Sequence, residues 1–228
     1  MTENSAVLTE TRGRVLLITL NRPEAMNAIN TDLAQGLLAA VEELDSNDGL
    51  TAGVLTGNGR GFCSGMDLKA FAAGGPPKGF DQFLETGSKK PLIAAIEGFA
   101  LAGGLEVALT CDLLVAAKDA KIGIREVKVG LFAAGGALLR LPRRLPYSVA
   151  MEMALTGQPI TSDEAKNYGL VSRVTENGGT IDAALELAEQ IAENATLAVA
   201  ASKALIQAQQ GITEEEFWEL QKPHMVKV

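Results

Sequence analysis

The chain has 228 residues, 47% of them apolar and 4% aromatic, with 24 glycines and a formal net charge of -8. A chain of this size can bury roughly 70% of its unfolded surface, so one domain with at most a small appendage is expected, and a disordered or disulfide-stapled class is excluded. The acidic balance argues against a nucleic-acid footprint, which needs clustered positive charge. Cys63 and Cys111 lack metal-ligand spacing and there is one histidine, so no metal site and a reducing cytoplasm are expected.

The opening MTENSAVLTETRGR has no basic region followed by an apolar run, so no secretory leader is read there. Val15 to Leu20 is a β-branched and leucine run closed by Asn21-Arg22-Pro23, which predicts a strand. Leu33, Leu37, Leu38, Val41 and Leu44 then recur on one helical face, with Asn30 or Thr31 as cap. Ala52 to Thr56 reads as a buried strand, and the strand-helix-strand order favours a layered α/β domain. Asn58-Gly59-Arg60-Gly61 is a glycine loop, Asp67 to Phe71 opens a short helix, and Gly74-Gly75-Pro76-Pro77 is a loop by composition.

Leu92 to Ala117 is long and apolar but carries Glu97, Glu106 and Asp112. Each acid near a bilayer centre would cost roughly 2.5–3.5 kcal/mol. The segment therefore reads as strand (Leu92 to Ile96), helix (Gly103 to Thr110) and strand (Leu113 to Ala117), not as a membrane span. Beyond residue 145 the pattern becomes helical, over Val149 to Leu155, Ser162 to Tyr168, Ile181 to Ala192, Leu197 to Gln209 and Glu214 to Leu220. The expected division is a core over 1–178 and a helical region over 179–228.

The loop TGNGRGFCSG, Thr56 to Gly65, follows a strand but fails as a dinucleotide cradle, because no third glycine falls in place, and as a P-loop, because no Lys-Ser/Thr closes it. It also fails as a nucleophile elbow, since Phe62 and Met66 flank Ser64 where glycines are needed. What it offers is backbone N–H groups that a ligand can approach closely, as does Ala102-Gly103-Gly104 before the next helix. Two such groups converging on one oxygen would make an oxyanion hole, although glycine before a helix is more often ordinary turn chemistry.

Glu106 stands among Leu101, Leu105, Val107, Ala108 and Leu109. A carboxyl in such surroundings has a raised pKa, which suits proton transfer near neutrality. The alternatives are a side chain reaching solvent or an ion pair, for instance with Arg125. Glu126 lies 20 residues further on (126 − 106), between Arg125 and Lys128, where a solvated salt-bridge partner is the ordinary reading. His224, beside Pro223 near the end, is not read as catalytic.

At these residues the chain resembles the crotonase family of enoyl-CoA hydratases and isomerases. The resemblance is carried by LNRPEAMNAI (Leu20 to Ile29), GRGFCSGMDLK (Gly59 to Lys69), KPLIAAIEGFALAGGLEVALTCDLLVAA (Lys90 to Ala117), IGIREVKVGLFAAGGALLRLPR (Ile122 to Arg143) and AKNYGLVSRV (Ala165 to Val174). It implies a core of repeated ββα units in a layered spiral, with the C-terminal helical region covering the pocket and building a homotrimer or a dimer of trimers. It places the oxyanion-hole N–H groups on Met66 and Gly103, and the acid/base pair on Glu106 and Glu126. Substrate and coenzyme A contacts are implied at Ala25, Ser64, Met66, Asp67, Leu68 and Ala134. The implied activity is hydration of a 2-enoyl-CoA in fatty-acid β-oxidation, with coenzyme A present only as part of the substrate and no cofactor or metal.

Three departures from the family pattern stand out. Ala133-Ala134-Gly135-Gly136-Ala137 replaces a common Pro-Gly-x-Gly-Gly. Arg125 replaces a frequent proline, putting a positive charge that could lower the Glu126 pKa. The C-terminal helical region is expected to be shortened. The GMDLKAF and GLFAAGGALLRLP segments are also similar to carnitinyl-CoA dehydratases. The remaining rivals are a Δ3,Δ2-enoyl-CoA isomerase and a non-catalytic acyl-CoA-binding homologue.

Overall fold

A computed structural model describes residues 5–227 of the chain. The first four residues of the opening segment, and Val228, lie outside the described residues, as do the outer margins of the division at 178.

Four times the chain lays a long strand in one sheet, makes a short rung in a second layer, and continues into a helix or helical turn. The first pass is the antiparallel hairpin β1 (Val7–Arg12) and β2 (Val15–Leu20), then helix α1 (Thr31–Ser46). The second is β3 (Ala52–Gly57), followed by α2 (Leu68–Gly74) and α3 (Phe80–Thr86). The third is β4 (Leu92–Ile96), β5 (Phe99–Leu101) and α4 (Gly103–Thr110). The fourth is β6 (Leu113–Ala117), β7 (Lys121–Gly123), a 3-10 turn over Glu126–Val129, and α5 (Ala137–Arg144). Then come α6 (Tyr147–Thr156), β8 (Ile160–Thr161), α7 (Ser162–Asn167), β9 (Arg173–Thr175), α8 (Thr180–Ala192), α9 (Thr196–Ala208) and α10 (Glu214–Lys227).

The large sheet has the order β1-β2-β3-β4-β6-β9, parallel from β2 onward. A parallel sheet is covered on both faces, which is why its strands are near-continuous apolar runs. Alternate residues serve opposite faces. Leu16, Ile18, Leu55, Ala94 and Leu114 join the cluster with Leu33, Leu37, Val41 and Leu44 of α1. Val15, Leu17, Val54, Ile93 and Val115 join the cluster with Ala184, Leu185, Ala188 and Ala192 of α8. Helix α8, grouped with the C-terminal region in the division at 178, thus roofs the outer face of the large sheet.

The small layer is β5-β7-β8, extended by the parallel bridges Cys63 to Ala100 and Ile29 to Met66. Every residue of α4 is buried, so this helix is enclosed on all sides. The C-terminal region holds two further helices after α8. Helix α9 is fastened by Lys203, whose Nζ donates to Asp112 Oδ2 at 2.7 Å and to the Lys90 carbonyl at 2.8 Å. Among the described residues no helix is long and apolar enough to cross a membrane.

Candidate active site

The site lies where the small layer hands over to helices. Met66 is bridged to Ile29 in the small layer and Gly103 opens α4. A Cβ on Gly103 would sit 3.5 Å from the Met66 backbone nitrogen, so the two glycine loops meet here. Neither backbone N–H finds an acceptor among the described residues. Gly103 is at a helix start, where N–H groups have no intrahelical partner and the dipole favours negative charge. It is aimed by Ala102, which adopts φ 52°, ψ -132°. An L-residue pays roughly 1–3 kcal/mol for such a conformation, and the strain adjoins the N–H in question.

Glu106 stands one turn into α4, 5% exposed. Burial pushes its carboxyl up to about 7, opposed by backbone hydrogen bonds, and the charge of Glu126 adds to the rise. Oε1 accepts the Ala137 N–H at 3.2 Å, and the Gly135 N–H also favours the ionised form. A Cβ on Gly135 would stand 2.6 Å from Oε2, so a side chain there would push the carboxyl out of this turn. The cation that acts on Glu106 is Arg140. The ion pair with Arg125 considered from sequence is not formed among the described residues: Arg125 stands just before the 3-10 turn with its side chain exposed.

Glu126 begins that 3-10 turn, half-buried. Burial raises its pKa, against the backbone N–H groups of Glu126 and Arg125. The expected lowering by the Arg125 charge is therefore corrected: burial prevails and Arg125 contributes only its N–H. Glu126 Oε2 is buried without a hydrogen-bond partner among the described residues, a costly state unless a ligand or water supplies one.

The remaining residues read from sequence fall into two groups. Ser64 is tied to the turn that carries Ala25 by its N–H to the Met26 carbonyl, 3.1 Å. Asp67 caps α2, accepting the Ala70 N–H at 3.2 Å, and pairs with Arg22 at 3.4 Å. Its pKa is lowered first by that N–H. The Asp67 carboxylate thus serves the fold, and so does its backbone N–H, which donates to the Ile29 carbonyl at 2.9 Å. Leu68 is exposed and Ala134 is exposed beside Gly135.

Several residues escaped the sequence reading. Asn27 is fully buried with φ 54°. Its Nδ2 donates to the Asn58 and Gly61 carbonyls at 2.9 and 3.0 Å, and its Oδ1 accepts the Arg22 N–H at 2.9 Å. It therefore stitches the Ala25 turn to the glycine loop. Asparagine tolerates the left-handed region, which is the one signal present in the sequence. The sequence places Gly135 and Ala137 in a variant loop and Arg140 in the segment after it, with no indication that they surround Glu106.

The family model described as enoyl-CoA hydratase/isomerase matches residues 10–226. The chain is 39% identical to the enoyl-CoA hydratase EchA19 of Mycobacterium tuberculosis over 97% of this chain and 87% of that protein. It is 38% identical to the carnitinyl-CoA dehydratase of Proteus mirabilis over 95% of this chain and 86% of that protein. Among solved structures, an enoyl-CoA hydratase from Mycobacterium tuberculosis H37Rv superposes with a TM-score of 0.93 at 48% identity, covering 98% of this chain and 90% of that one. The spiral core, the two glycine loops meeting at Met66 and Gly103, and these relatives agree: the chain belongs to the enoyl-CoA hydratase/isomerase family, the crotonases.

Proposed function

We propose that this protein is an enoyl-CoA hydratase, adding water reversibly across the Cα–Cβ bond of a 2-enoyl-CoA thioester. The observation that carries the reading is the pair of carboxyls, Glu106 and Glu126, each raised by burial and with the charge of Glu126 acting on Glu106. Repulsion between two such carboxyls favours the state in which one is ionised and the other protonated.

Water addition needs that state. As the oxygen of water bonds to Cβ, Glu106 in its ionised form accepts the departing proton, and Glu126 delivers a proton to Cα. Negative charge gathers on the thioester oxygen in between, where the Met66 and Gly103 N–H groups would receive it. The acid and base exchange roles in the reverse direction, so carboxyls and N–H groups suffice, and coenzyme A enters only as part of the substrate. The backbone around Ala25, Ser64, Met66, Asp67 and Leu68 would hold its nucleotide end.

The carnitinyl-CoA dehydratase of Proteus mirabilis favours a second substrate class, a polar acyl chain handled by the same chemistry. A homotrimer or dimer of trimers belongs to the reading, supported by the exposed Leu197 and Ile206 on α9 and Trp218 and Met225 on α10. The buried free thiols of Cys63 and Cys111 suit a reducing cytoplasm.

Mixing the protein with crotonyl-CoA and following loss of the conjugated thioester absorbance tests the activity. E106Q and E126Q are each expected to lower kcat by about 10²- to 10⁴-fold. No turnover with any enoyl-CoA overturns the reading. A product without oxygen from labelled water would make the protein an isomerase, and tight binding without turnover a non-catalytic homologue.

A further inference from the structure

Arg140 lies in the first turn of α5, and its guanidinium folds back over the start of that helix. Nη2 donates to the Leu84 carbonyl at 2.5 Å and to the Glu85 carbonyl at 3.1 Å, while Nη1 donates to the Gly135 carbonyl at 3.4 Å. The first two acceptors are in the last turn of α3; the third is in the turn whose N–H groups hold Glu106. A Cβ on Gly136 would stand 2.3 Å from Nη1, so the guanidinium lies directly on the Gly135-Gly136 turn. A planar fork can reach carbonyls on two segments at once, whereas an ammonium acts as a single point.

We propose that Arg140 is a positioning residue for Glu106: by bridging the end of α3 to the Gly135-Gly136 turn, it sets the turn that presents the Gly135 and Ala137 N–H groups to the carboxylate. The inference rests on the reading of Glu106 as the proton acceptor. The charge of Arg140 also acts on Glu106, lowering its pKa against burial. The other charged groups on elements packed around Glu106 are Glu126 of the 3-10 turn, with the exposed Arg125 and Lys128 beside it, Asp81 and Glu85 of α3, and Arg143 and Arg144 of α5. Of these, Asp81, Glu85 and Arg143 are exposed, and Arg144 is engaged with the Asp112 carbonyl at 3.0 Å. β5 brings none.

The test compares R140Q and R140K with the wild-type protein, following the Glu side-chain carboxyls by 13C NMR across pH, with E106Q assigning the Glu106 signal, and measuring kcat and KM for crotonyl-CoA in parallel. In R140Q the Glu106 midpoint is expected to rise from about 7, by about half a pH unit or more. R140K keeps the charge but not the bridge, so kcat is expected to fall about tenfold or more while KM changes less than about threefold. An unmoved Glu106 midpoint in folded R140Q, or full kcat in R140K, overturns the proposal. If R140Q does not fold, R140K decides. If neither folds, Arg140 is a structural residue and the proposal falls. If the wild-type protein hydrates no enoyl-CoA, the functional reading fails while the titration still decides whether Arg140 positions Glu106.

Discussion

Gly135 and Glu106 fit together only because one of them lacks a side chain: a Cβ at 135 would stand 2.6 Å from Glu106 Oε2 and 2.8 Å from Leu84 Cδ1. Both obstructing atoms are ends of flexible side chains, so the fold can absorb a methyl group by turning them aside. G135A is therefore expected to fold with a Tm within about 4 °C of the parent, equivalent to about 1 kcal/mol at this size. Its kcat is expected to fall about 10²-fold, because a base displaced by about 1 Å loses its alignment. Thermal unfolding and crotonyl-CoA turnover on one preparation check the pair of outcomes; full activity would place the carboxylate elsewhere in the working enzyme.

The protonation of Glu106 ties stability to pH in the direction opposite to most carboxylates. Its pKa is 4.5 in the unfolded chain and about 7 in the folded one. The folded state thus binds the proton more tightly, and the resulting stability is fully present below pH 4.5 and lost as pH rises through about 7. Glu126, also raised by burial, adds in the same sense. The Glu106 share is on the order of 3 kcal/mol. Urea unfolding at pH 5 and pH 8 should show the parent losing that much more stability than E106Q; parallel pH curves for the two would contradict it. In turnover the same group should make kcat/KM for hydration fall below about pH 7, since the base must be ionised.

Ala102 stores strain beside the Gly103 N–H, with φ 52° where glycine is at ease. A102G is expected to stabilise the protein by about 1 kcal/mol, and A102V to destabilise it by more than that. Differential scanning calorimetry of the two variants checks the sign; a lower Tm for A102G would mean that its Cβ contacts outweigh the backbone strain.

Asn27 joins the Ala25 turn to the glycine loop through one side chain. N27A leaves the Asn58 and Gly61 carbonyls and the Arg22 N–H without their partner and keeps a left-handed backbone that alanine tolerates poorly. The expected loss is about 2–4 kcal/mol. Because Ser64 and Met66 hang from the same loop, KM for the thioester should rise as well. Denaturant melts paired with steady-state kinetics measure both.

The central strands were legible because a parallel sheet buried on both faces writes itself as short apolar runs, and β2, β4 and β6 span the residues those runs predict. Helix α1 was legible from its one-sided leucines and its Asn30 cap, whose side chain accepts the Leu33 N–H. β1 was not, since an edge strand with outward Glu10 and Arg12 carries no apolar run. Helix α5 was hidden by Gly135-Gly136 before it and Pro142 within it. In the site, the apolar neighbours of Glu106 announced its burial, because those neighbours lie on the same helix. The burial of Glu126 could not be read, since its sequence neighbours Arg125 and Lys128 point outward while distant segments cover it. Nor could Arg140, which reaches Glu106 only through a turn that local patterns do not describe.

The bridges Ile29 to Met66 and Cys63 to Ala100 belong to one ladder with β5 and β7. The N–H donors at Met66 and Gly103 are therefore spaced by adjoining rungs of a single ladder, like marks on a ruler. Segment 58–67 cannot be exchanged for that of another crotonase without carrying 98–103 along, because a slip at one rung misplaces both donors. Residues 68–79 belong to no strand and precede α3, and there the chain can lengthen, shorten or change composition while the ruler keeps its scale. Variation in acyl preference among proteins built this way has a natural home in that stretch, apart from the residues that do the chemistry.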